Sequence, residues 1–123
     1  MRNGQIAELD RWLAERIALC GQRGQALRAD DRGDEAAFEK IRANVYDIFR
    51  TVLSVAERNC GDGEAARRFL LRRLESIPSG WHASYEKAAA HGDPVKARIE
   101  RIKLDTVGEI RETLESVWKE GAE

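Results

Sequence analysis

At 123 residues the chain has the length of one ordinary domain, and a single helical domain over residues 1–123 is expected. Its 21 basic and 22 acidic residues leave a net charge of −1, so no global field draws it to nucleic acid or to an anionic membrane. No run approaches the roughly 20 apolar residues of a membrane span, and Met1 to Asp10 lacks the apolar stretch of a signal peptide.

Two cysteines without such a signal read as free thiols in a reducing cytoplasm. Leu, Ile, Val and Phe supply about 22% of the residues, a little above the level at which chains stay unfolded. A core this thin favours completion by self-association.

Every periodic segment has the helical period. The first stripe is Ile6, Leu9, Leu13, Ile17, Cys20, Gly24 and Leu27, stepping by three or four residues. The charged cluster Ala29-Asp30-Asp31-Arg32-Gly33 breaks it and reads as a turn. Asp34 is the expected cap of a second helix, with Glu35 and Glu39 near the positive end of its dipole. That helix carries Phe38, Ile41, Val45, Ile48, Phe49, Val52 and Ala56 as its expected buried face. It stops at Asn59-Cys60-Gly61-Asp62-Gly63, where Asp62 is placed to cap the next helix.

The third helix, from Glu64 to Ser76, turns Ala66, Phe69, Leu70 and Leu74 inward. Pro78 interrupts it, because proline has no N–H to donate and pushes Ile77 out of the helical region. Ser79 is the expected cap of a fourth helix with Trp81, Tyr85 and Ala88 on one side, ending at His91-Gly92. Asp93 followed by Pro94 is a strong start signal for the last helix. Val95, Ile99, Ile102, Thr106, Ile110, Leu114 and Val117 form its stripe, and Leu104, Val107 and Trp118 widen the apolar face. The helix lengths and short turns predict an all-α, antiparallel up-down bundle of five helices, with the third pass broken at Pro78.

Few residues suggest chemistry. Asp30, Asp31 and Asp34 spell D-D-x-x-D, but they flank a glycine in a turn with no second acidic motif, so they read as a solvated cap and not as a metal site. The segment Arg67–Arg73 holds four arginines, of which Arg68 and Arg72 lie one turn apart and suit an anion. Trp81, His82 and Tyr85 follow the Pro78 break, where backbone groups lose helical partners and a small polar ligand could be held. His82 and His91 are not at a metal-binding spacing, and no glycine-rich phosphate loop, nucleophile elbow or C-x-x-C pair is present.

The resulting expectation is a non-enzymatic cytoplasmic interaction module. It needs no metal or cofactor, and it self-associates as a homodimer through Leu104, Val107 and Trp118 on the surplus face of the last helix. The alternative is a small-ligand or anion binder built from Trp81, His82 and Tyr85 with Arg68 and Arg72.

Overall fold

A computed structural model describes residues 4–60 and 63–121. Five helices follow in order: α1 (Gly4–Ala29), α2 (Gly33–Cys60), α3 (Gly63–Ser76), α4 (Ser79–Ala90) and α5 (Pro94–Gly121). There is no strand among the described residues. The expected cap Asp62 lies outside them.

The α1–α2 and α4–α5 turns close in the same way. After α1, Asp31 takes a left-handed conformation (φ 59°), the Arg32 N–H bonds the Leu27 carbonyl at 2.8 Å and the Asp31 N–H bonds that of Arg28 at 3.1 Å. After α4, Gly92 (φ 69°) takes the same role, with Asp93 bonded to Ala88 at 2.9 Å and Gly92 to Ala89 at 3.4 Å. These paired bonds satisfy carbonyls that a helix end otherwise leaves free. Asp93 then caps α5 as expected, its carboxylate accepting from the Lys96 N–H at 3.1 Å.

Two expected caps are corrected. Asp34 lies inside the first turn of α2, because the Arg32 carbonyl already accepts the first helical bond, from Ala36 at 3.1 Å. Arg32 is held there by an ion pair with Glu35. Ser79 is the first residue of α4, behind Pro78, and its hydroxyl donates backwards to the Ser76 carbonyl at 2.7 Å. It closes α3 instead of opening α4.

The packing directions follow from the side chains that meet. Asp10 meets Arg50 and Trp12 meets Tyr46, so α1 and α2 are antiparallel. Arg16 meets Glu109, and Glu8 and Trp12 share a cleft with Glu112, Ser116 and Val117, so α1 is antiparallel to α5. Tyr46 meets Glu109 while Phe38 meets Arg98, so α2 and α5 run in the same direction. Trp118 donates to the Gly63 carbonyl at 2.9 Å, and the Lys103 ammonium lies 5.6 Å from the Trp81 ring centre. α3 and then α4 therefore pass along α5 in the opposite sense, with the Ile77–Pro78 turn between them. α2 and α5 form a central pair, α1 packs on both, α3 packs on both, and α4 packs chiefly on α5.

The α1 stripe is buried largely as read, through Ile6, Leu9, Leu13, Cys20 and Gly24. The face of α2 is not. Its buried residues are Ala36, Glu39, Val45, Tyr46, Phe49, Leu53 and Ala56, whereas Phe38, Ile41 and Val52 are half-buried and Ile48 is 38% exposed. α2 touches α1, α3 and α5 at once, so its buried arc is wide and turned towards α1, taking in Tyr46 and Leu53. On α5, Val95, expected in the stripe, is exposed in the first turn.

Candidate functional site

Most of the surplus face of α5 is buried within the chain. Val107 and Trp118 are 6% and 8% exposed and belong to the core, and Leu104 is half-buried beside the Pro78 turn. The indole N–H of Trp118 is spent on Gly63. Val107 and Trp118 therefore present no open face in the single chain, while Leu104 lines a cleft; a stripe wider than one neighbour needs is what a central helix shows, and α5 has α1, α2, α3 and α4 around it.

Of the five residues expected to form a ligand site, only His82 lines the cleft at the helix break. Trp81 is half-buried against the core under Lys103, and Tyr85 is half-buried on the same helix. His82 is exposed and lines a cleft of about 450 Å³ at the helix break, where its neighbours include Glu75, Leu104 and Arg111. Arg68 and Arg72 are exposed on α3 and do not line that cleft. Neighbouring Arg67 and Arg73 find local partners, Glu64 at 3.3 Å and the Phe69 ring at 5.2 Å.

Two features of α2 escaped the sequence reading. The first is its outward arc. Ala37, Ile41, Asn44, Ile48, Thr51 and Val55 recur at alternating steps of four and three, and none carries a charge. All are exposed or half-buried. The Thr51 hydroxyl is bonded to the Asp47 carbonyl at 3.1 Å, so its one strong donor is satisfied inside the helix. Ile41, Ile48 and Val55 are spaced by seven, the repeat that keeps one seam facing a partner helix. Of this row, Ile41 and Ile48 are the members whose spacing in sequence suggests the buried face, because the row lies directly beside it on the helix.

The second feature is buried charge beneath the α1–α2 turn. Glu39 is 8% exposed; its Oε1 accepts from Arg42 at 2.8 Å, while Oε2 is buried without a hydrogen-bond donor. The Cys20 thiol lies against this carboxylate. Burial, then the Glu39 charge and its hydrogen bond, push the thiol pKa up to about 11. Tyr46 is also pushed up, by burial first and then by Glu109, whose carboxylate accepts its hydroxyl at 3.0 Å. Cys20 and Cys60 are both free thiols.

No helix among the described residues is long and apolar enough to cross a membrane. The chain matches no protein-family model, no curated protein and no solved structure. The fold is an all-α helical bundle.

Proposed function

We propose that this chain is a non-enzymatic module that pairs with a second copy of itself, and that the outward arc of α2 is the contact. The observation that carries the reading is the uncharged heptad row Ala37, Ile41, Asn44, Ile48, Thr51 and Val55 on an open helix face. In a chain with 35% charged residues, a solvated arc five turns long is normally laced with charge, and this one is not.

Three considerations favour a second copy as the occupant. Apolar residues repeated every seven positions keep one seam of the helix facing a partner helix. A twofold axis beside Ile48 makes the row self-complementary, since Ile41 and Val55 each lie seven residues from it. An uncharged row meets its own copy without like-charge repulsion. The free thiols suit a reducing compartment such as the cytoplasm.

Light scattering on size-exclusion fractions tests this. The wild-type protein at high micromolar concentration is expected at twice the 13.9 kDa chain mass. Ile48→Glu is expected to give a monomer with an unchanged helical circular dichroism spectrum, since Ile48 is not in the core. A monomeric wild type, or a dimer that survives Ile48→Glu, overturns the proposal.

A further inference from the structure

The cleft between α1, α2 and the start of α5 holds more positive charge than its own carboxylates neutralise. It has a volume of about 480 Å³ and is lined by Arg23, Arg42 and Arg98, with Leu27 and Phe38 as an apolar wall. That volume lies within the range of roughly 300–1,000 Å³ usual for small-molecule sites. Two carboxylates also line it, and both are committed: Glu39 to Arg42 at 2.8 Å, and Glu35 to Arg32. Arg23 and Arg98 have no carboxylate partner among the described residues.

Arg98 lies over the Phe38 ring with its guanidinium carbon 4.9 Å from the ring centre. A guanidinium held on an aromatic face keeps its planar edge for two parallel hydrogen bonds to an acid group. Arg23 comes from α1 and Arg98 from α5, so the two uncommitted guanidinium groups reach a cleft also lined by Phe38 from different helices. We infer that this cleft binds an organic anion, with an apolar body against Phe38 and Leu27 and one carboxylate, sulfonate or phosphate group between Arg23 and Arg98.

The same residues set the limits of what fits. Inorganic phosphate leaves the apolar wall unused. A polyanion meets Glu35 and Glu39, whose charges oppose a second acid group. The cleft and the α2 row use different residues, so neither reading depends on the other.

The test is a fluorescence titration of the full chain with 8-anilinonaphthalene-1-sulfonate, an aromatic body carrying one sulfonate. Saturable binding is expected, displaced by decanoate and not by the same concentration of inorganic phosphate. Arg23→Ala with Arg98→Ala should weaken binding about tenfold or more through loss of charge-assisted hydrogen bonds. Arg68→Ala with Arg72→Ala removes the same charge from exposed positions on α3 and should leave affinity unchanged. All four arginines are exposed, so both double variants should keep the wild-type helical spectrum. Equal weakening in both double variants, weakening in neither, displacement by phosphate, or the absence of saturable binding would each overturn the inference.

Discussion

Phe49 is 2% exposed at the centre of the buried arc of α2. Phe49→Ala opens a void there and should cost about 3–5 kcal/mol, a large part of a small domain's stability. A urea or thermal melt within a degree or two of wild type would contradict that placement. Cys20 supplies a pH signature. Its unfolded thiol titrates near 9.0 and its folded one near about 11, so the folded state binds the extra proton between those values. Stability from this group is therefore complete below pH 9.0 and lost as pH rises through about 11. Tyr46 acts in the same direction at the alkaline end. Cys20→Ala should remove part of the alkaline fall in melting temperature; a variant whose fall matches wild type between pH 9.0 and about 11 would sink the assignment.

At the scale of the element, the two helix-closing turns make opposite predictions from one geometry. Asp31 and Gly92 both hold left-handed backbone, at φ 59° and 69°. Only glycine does so without a steric cost from its side chain, although aspartate tolerates it better than most residues. Asp31→Gly should therefore stabilise slightly or be neutral, whereas Gly92→Ala should cost about 1 kcal/mol or more. Asp93→Ala, which removes the carboxylate bonded to the Lys96 N–H, should cost about 1 kcal/mol. Chemical denaturation midpoints read all three, and a Gly92→Ala variant as stable as wild type would refute the turn geometry.

For the whole molecule, the decisive comparison is between two substitutions by glutamate. Val107 is 6% exposed inside the bundle, so Val107→Glu buries a charge without a partner and should unfold the chain or destabilise it by about 3 kcal/mol or more. Ile48→Glu falls on the open arc of α2 and should leave the fold intact while altering association. A folded Val107→Glu monomer would return the contact surface to α5. Circular dichroism and light scattering on the two variants decide between these outcomes.

The sequence by itself determined the helices, because hydrophobic spacing, glycines and prolines act over a turn or two of chain. The α1 stripe, the break at Pro78 and the Asp93–Pro94 start all depend on such local physics, and the helices follow them. Which flank of an apolar arc faces inward depends on how many neighbours a helix has, which no local window contains. α2 and α5 each meet several other helices, so Tyr46 and Leu53 were drawn inward, Ile48 was left outside, and Val107 and Trp118 were covered. The arginine cleft was beyond sequence reading for the same reason. Arg23, Phe38 and Arg98 sit on three helices and become neighbours only when α1, α2 and α5 pack. Spacing along one chain carries no record of that meeting; tertiary structure alone decided it.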